Sequence, residues 1–409
     1  MHKLLNKNVI VLADQAIFSG GSFLITILLA RVLGADNFGI YASLTLFTYS
    51  VISVLNAMVI NPLQVSLDRI EHKKSYLSFN FWSQIALVII MSVALFIILG
   101  LKIKFLNSLN NLGYGLVIFF IGFLMQDYFR KLFLAQAKVY LALIVDLVTT
   151  TISFVIIYIS WAYWHLDFKE TILFLGLAYL PGTVISIVFI NPNFRAHSNW
   201  GSYLKLHYHQ GKWLVLTAIT QWWSGNLFIV ASGLFLGIRA LGAFRLVQSL
   251  FGILNILLQT LENYALPEAT RLFINSTDEA KSYLRSISLR SAAMFGLVLV
   301  LLFIFSKEVI LLAGGAQYLE YAFVVKGMAI LYSFIFIGYP VRMAIRMLLL
   351  NRVFFSGYLF SLFFSLVSYH FLLSSWNING AIIGLILSQI IVIIYWQYIL
   401  YKKQFILWK

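Results

Sequence analysis

The sequence predicts an all-α polytopic membrane protein, with about twelve transmembrane helices in two pseudo-symmetric six-helix lobes. Three observations lead there. Of 409 residues, 61% are hydrophobic and only 11% charged, with a mean hydropathy of +0.91; a soluble domain runs at about 45–50% apolar and about 25% charged. Apolar runs near the roughly 20 residues that carry a helix across hydrocarbon recur along the whole chain. Lysine and arginine gather in alternate connections between those runs, as orientation in a bilayer demands. This composition excludes a water-soluble enzyme of this size. It also excludes disorder, which needs low hydrophobicity. With no cysteine there is no disulfide framework, thiolate nucleophile or thiolate metal site.

The runs fall at 9–31, 40–60, 80–101, 113–130, 140–161, 171–190, 213–236, 243–262, 287–306, 321–341, 354–374 and 380–401. The first follows Lys3 and Lys7 but lacks a small-residue cleavage site, so it reads as a retained helix. The fourth is interrupted early by Gly113 and Gly115 and ends in charge. Pro181 and Pro340 fall inside the sixth and tenth runs, where a missing N–H invites a kink. An even number of crossings puts both termini on one side. Assigning the termini and every second loop to the cytoplasm places 21 of the 29 lysines and arginines there, which favours N-in/C-in. The net charge of +15 therefore encodes orientation rather than nucleic-acid binding. The longest connections, near 191–212 and 263–286, are cytoplasmic and too short for a folded domain.

A repeat divides the chain. Gly34-Ala35-Asp36-Asn37-Phe38-Gly39-Ile40-Tyr41 links the first two helices, and Asn61-Pro62 closes the second. Gly237-Ile238-Arg239-Ala240-Leu241-Gly242-Ala243-Phe244 links the seventh and eighth, and Leu266-Pro267 closes the eighth. Both turns read Gly-x4-Gly-x-aromatic, at similar distances from their prolines. A weaker echo relates Gln126 and Arg130 to Arg342 and Arg346. The lobes implied are 1–198 and 199–409, and parallel repeats of this kind carry transport sites between their halves.

The stretch Leu29-Ala30-Arg31-Val32-Leu33-Gly34-Ala35-Asp36-Asn37-Phe38-Gly39-Ile40-Tyr41 resembles the first interhelical motif of polysaccharide-synthesis exporters. These are the Wzx-type, O-antigen and capsule flippase-like branch of the multidrug/oligosaccharidyl-lipid/polysaccharide exporter superfamily. Further matches are Gln126-Asp127-Tyr128-Phe129-Arg130, Asp146, Gly211-Lys212-Trp213 and Gly242-Ala243-Phe244-Arg245. The resemblance spans essentially the whole chain in helix number and duplication. It implies a MATE-like fold and flipping of undecaprenyl-diphosphate-linked oligosaccharide repeat units across a bacterial inner membrane for surface polysaccharide synthesis. It also implies alternating access of a cavity between the lobes, with coupling to a proton or sodium gradient in some members. Polyprenyl-diphosphate oligosaccharide and membrane lipids are the expected partners, with a glycan polymerase and a chain-length regulator as further ones; no cofactor and no nucleic acid are expected.

Such a cargo needs cations for its diphosphate, and arginine's planar fork suits phosphate best. The candidates are Arg31, Arg245, Arg290, Lys326 and Arg342, with snorkelling to the interface as the alternative for Arg31 and Arg290. Charges within the bilayer cost at least about 2.5–3.5 kcal/mol at its centre and so face a cavity or a partner. Asp14 in the first helix and Asp146 in the fifth are ion-coupling candidates. Asp146 has no cation within four residues, and an interhelical structural pair is its alternative. Asp127 lies one turn from Arg130 and Lys131, a spacing for an intrahelical ion pair at the inner interface. Glu262 ends the eighth run and is a gating candidate or a solvated helix end. Gln221, Trp222, Trp223 and Asn226, near the middle of the seventh, suit sugar stacking and hydroxyl hydrogen bonds, or else fill an interface. His72, His197, His207 and His209 fall in cytoplasmic loops, with His207 and His209 expected to be a solvated pair.

No P-loop, Ser/His/Asp set or metal-ligand spacing occurs, so the chain reads as a transporter rather than an enzyme. A multidrug exporter of the same fold is the second reading, but that would favour acidic over basic embedded charge. A membrane-embedded glycan polymerase is the third, and the short outer loops argue against it.

Overall fold

The computed structural model describes residues 10, 13–101, 107–110, 112–164, 166–193 and 199–408. Lys3, Lys7, Arg195, His197 and Lys409 lie outside these. Among the described residues there are helices and turns but no strand, as hydrocarbon requires: a helix satisfies its own backbone where no water can.

Ten helical stretches are long and apolar enough to span a bilayer. They are α1 (Ala13–Val32), α2 (Gly34–Arg69), α3 (Lys73–Gly100), α5 (Val139–Tyr163), α6 (Phe168–Ile190), α7 (Trp200–Phe235), α8 (Ile238–Asn275), α9 (Thr277–Ile304), α10 (Ala316–Met347) and Asn351–Lys402. Between α3 and α5 runs α4, Gly113–Ala135, which Gln126, Asp127, Arg130 and Lys131 make too polar to join the ten. The stretch Asn351–Lys402 has 52 residues, and Asn377 breaks it with φ 48° and ψ −130°. It therefore makes two crossings, α11 (351–376) and α12 (378–402). Among the described residues each predicted apolar run thus falls on a helix, α4 being the one outside the ten candidate stretches.

Their ends differ from expectation. The connection expected over 263–286 is helix on both sides of Ser276, whose extended backbone and side chain cap α9 at the Glu279 amide. Pro267 does not close α8; it lies inside it. Nor does Pro62 end α2. A π-helical turn, Asn56–Ile60, precedes it, and the helix resumes over Asn61–Ser66 with proline in its first turn. Proline lacks the N–H that would bond the carbonyl four residues back, here that of Met58. His207 Nδ1 fills that vacancy, donating to the Met58 carbonyl at 3.0 Å. With Nδ1 protonated, Nε2 of the neutral ring accepts from the Tyr76 hydroxyl at 2.8 Å. His207 is buried, not solvated as expected, because α7 begins at Trp200 and docks this residue against α2 and α3. His209, two residues on, is exposed.

Among the described residues, those up to Leu33 together with Ile40–Ile219 form one compact unit, and Gly34–Gly39 with the residues from Thr220 onward form a second. In the first, ring contacts tie α2, α4 and α6: Tyr41 meets Phe119 edge-on at 6.0 Å, and Phe123 stacks on Tyr179 at 5.8 Å. A capping box opens α6, with Asp167 and Glu170 bonding each other's backbone amides. In the second, serine hydroxyls bridge helices, Ser224 to Ser361 and Ser365 to Ser388, each at 2.8 Å. Small polar residues serve this purpose where lipid offers no hydrophobic drive to association. Phe96, Val188, Phe363 and Ile394 point outward instead, as a lipid-facing surface should.

The second unit also holds both repeated turns. Gly34 has φ +72° and Gly237 φ +100°, so the first glycine of each motif takes the left-handed region that other residues resist. The second glycines touch: a Cβ on Gly242 would lie 3.0 Å from the Gly39 Cα, and one on Gly39 would strike the Ile238 carbonyl. Asp36 and Arg239 occupy equivalent places in the two motifs and form a two-pronged ion pair at 2.6 Å on both prongs.

Candidate functional sites, one in each unit

In the first unit the charges converge on Arg130. Its Nε donates to Asp146 at 2.7 Å and one terminal nitrogen donates to Asp14 at 2.8 Å, with Gln15 Oε1 at 3.4 Å. Gln126, one turn earlier on α4, donates to the other Asp146 oxygen at 2.7 Å and accepts from Thr149 at 3.2 Å. The guanidinium lies 3.8 Å from the centre of the Phe18 ring, which belongs to a π-helical turn, Ala16–Gly20, immediately after Asp14. All three charged side chains are buried, none more than 9% exposed.

Asp146 takes the interhelical structural pair that stood as the alternative to ion coupling, because α4 brings it an arginine from sixteen residues away. One expectation is corrected here. Asp127 pairs with Lys131 at 2.7 Å but not with Arg130, which turns toward the interior to meet two carboxylates. The balance is two carboxylates against one guanidinium, leaving one surplus negative charge if all are ionised. Both Asp146 oxygens are hydrogen-bonded, whereas Asp14 Oδ1 is buried without a partner.

In the second unit the charge is reversed. Glu262 is buried on α8, which continues past it to Asn275, so it is not a solvated helix end. It accepts from Tyr339 at 2.7 Å, pairs with Arg346, and has Arg342 Nε at 3.7 Å. Arg342 lies over the Tyr339 and Phe354 rings at 5.6 and 5.7 Å, and its Nε is buried without a hydrogen bond. Tyr339, Arg342 and Arg346 recur at i, i+3 and i+7, so they share a face of α10. One carboxylate against two arginines leaves a surplus positive charge.

The remaining candidates are not gathered into either cluster. Arg31, Arg290 and Lys326 are exposed, Lys326 lying 5.5 Å over the Phe303 ring. Arg245 is half-buried near the start of α8. On α7, Trp222 and Trp223 meet edge-on at 5.2 Å, and Asn226 donates back to the Trp222 carbonyl while accepting from Gln248 at 3.5 Å. Gln221 lies about 140° around the helix from Asn226, so these four do not form one surface. Gln15, Phe18, Thr149 and Tyr339 were not among the predicted site residues. Thr149 had a signal, its i+3 spacing from Asp146. The others depend on which helices pack together.

The family model described as polysaccharide biosynthesis protein matches residues 28–323. No curated protein matches the chain. Among solved structures, an inward-facing multidrug resistance MATE family transporter of the MOP superfamily is similar, with 10% identity over 96% of this chain and 94% of that one, at a TM-score of 0.76. The lipid II flippase MurJ in an inward closed conformation matches with 11% identity over 98% of this chain and 87% of that one, at 0.69. A MOP superfamily transporter from Pyrococcus furiosus, whose binding pocket is described as reversed in polarity, gives 10% identity, coverages of 98% and 96%, and 0.65. At such identities the likeness is one of fold.

Proposed function

From the premise that this chain belongs to the polysaccharide biosynthesis protein family, and is a multi-pass membrane protein with the exporter-superfamily fold, we propose that it is a flippase. Its cargo is an undecaprenyl-diphosphate-linked oligosaccharide repeat unit, moved from the cytoplasmic to the outer leaflet of a bacterial inner membrane for surface polysaccharide synthesis. Both termini face the cytoplasm, and a glycan polymerase and chain-length regulator receive the product.

The observation that carries this reading is the surplus positive charge at Arg342 and Arg346. A flippase lowers the cost of taking an anionic diphosphate through hydrocarbon while the isoprenoid tail stays in lipid. Paired arginines offer bidentate hydrogen bonds to phosphate, and the pairing of Arg346 with the Glu262 carboxylate, with Arg342 beside it, supports such a role. The first unit supplies the complement, a buried cluster of two carboxylates and one guanidinium, where Asp14 is suited to take a proton or sodium ion. Substrate and coupling ion then use separate clusters of opposite charge, and alternating access links them.

The decisive assay is translocation in liposomes. A fluorescent polyprenyl-diphosphate sugar should become accessible on the far leaflet only with the protein present, and a proton or sodium gradient should change the rate. Transport of cationic dyes with no movement of the lipid-linked sugar would overturn the proposal in favour of a drug exporter.

A further inference from the structure

Helix α8 carries a polar strip that the second-unit cluster explains only at its Glu262 end. Arg245, Gln248, Gly252, Asn255, Gln259 and Glu262 follow one another at intervals of three or four, which places them along one face. At 1.5 Å per residue the strip is about 25 Å long, close to the roughly 30 Å of hydrocarbon. Its ends are charged and its middle is not.

The middle of the strip is not part of the packed face of α8. Phe251, Leu254 and Leu258 are buried, whereas Asn255 and Gln259 are exposed. Nor is it the lipid-facing side, since exposed Ile253 and Tyr264 lie about 160–180° around the helix from Asn255. An amide exposed to hydrocarbon in mid-membrane would be costly without a partner, so this strip faces water or cargo. Its groups are also only partly used. Asn255 Nδ2 donates to the Tyr332 hydroxyl at 2.8 Å, leaving its carbonyl oxygen open to a donor. Gln248 Oε1 is buried with no partner, although the same side chain donates weakly to Asn226.

Resting on the reading above, we propose that this strip is a glycan track. Gln248, Asn255, Gln259 and Tyr332 hydrogen-bond the hydroxyls of the oligosaccharide, and the diphosphate keeps to the cationic ends at Arg245 and at Arg342 with Arg346. Amides and phenols both donate and accept, which matches a sugar hydroxyl in either sense. Lack of charge along the middle lets the polar head move between ends without a deep electrostatic trap. The track adds a second helix to the sugar contacts, beside Trp222 and Asn226 on α7.

The test compares two ligands, polyprenyl diphosphate bearing a disaccharide and the same lipid without sugar, for binding to purified protein in nanodiscs. Wild type should bind the sugar-bearing lipid more tightly. Asn255→Ala and Gln259→Ala should each weaken that binding about 2- to 10-fold, the ordinary value of one hydrogen bond, and leave the sugar-free lipid unchanged. Ile253→Ala, on the opposite face, should alter neither. Equal losses for both lipids, no loss for either, or a wild type indifferent to the sugar would overturn the track and leave the flippase reading intact. A wild type that binds neither lipid would overturn both.

Discussion

Replacing Arg130 by glutamine tests the first-unit cluster most directly. The substitution keeps much of the side-chain length and removes the charge, so Asp14 and Asp146 would face each other across a buried space with no cation. Breaking a buried ion pair by removing one partner costs about 3–5 kcal/mol, since the other charge is left unpaired. Here two carboxylates are stranded, at 3% and 1% side-chain exposure, and the Phe18 ring loses its cation as well, worth a further ~1 kcal/mol. The geometry predicts an order rather than one value. Arg130→Gln should be the least stable, Arg130→Gln with Asp14→Asn intermediate, and the triple variant with Asp146→Asn close to wild type, because removing all charges together is often neutral or stabilising. Asp14→Asn alone, which removes the surplus negative charge but keeps the Arg130–Asp146 pair, should retain stability and lose the dependence of transport on the ion gradient. Thermal unfolding of the detergent-purified protein gives the order, and gradient-driven uptake in liposomes gives the coupling. A Tm for Arg130→Gln equal to wild type would refute the buried triad. Gradient dependence surviving in Asp14→Asn while lost in Asp146→Asn would move the coupling site to Asp146.

Other predictions follow the same geometry. Arg346→Ala combined with Arg342→Ala should abolish binding of polyprenyl diphosphate, whereas Glu262→Gln should strengthen it several-fold by releasing both arginines; weaker binding in Glu262→Gln would show the carboxylate positions them instead. His207→Leu should cost about 1–3 kcal/mol, the penalty of leaving a buried carbonyl and hydroxyl unpaired. Pro62→Ala should recover part of that loss by giving Met58 an ordinary helical N–H, and an additive double variant by denaturant titration would contradict the substitution of one bond for the other. Gly34→Ala should destabilise by about 1–2 kcal/mol because its φ of +72° penalises a Cβ, and Gly39→Val more severely, since its Cβ meets the Ile238 backbone; unchanged Tm for Gly39→Val would refute the close approach. Charge reversal at Asp36 or Arg239 alone should slow transport more than reversal of both, measured by the same uptake assay.

How far the sequence reaches differs between levels. Composition and apolar runs determined the class and where the long apolar helices fall, since a helix in hydrocarbon must be about twenty residues long and apolar whatever it packs against. The glycine turns were equally legible, because positive φ at Gly34 and Gly237 is a local requirement. Local spacing also found the Asp127–Lys131 pair. It failed for Arg130, which has an acid at i−3 and yet bonds acids 116 and 16 residues away. Spacing could not show that α1, α4 and α5 share an interior. For the same reason it could not name the partner of Asp146, put Glu262 at a free helix end, and took His207 for a solvated residue. Helix ends were missed at Pro62, where a π-turn precedes the proline, and at Pro267, which lies inside α8. By itself, then, the sequence determined what crosses the membrane and which residues carry charge. Only the tertiary structure decided which charges meet, because burial prices each ion by its partners, and those partners come from helices distant in the chain.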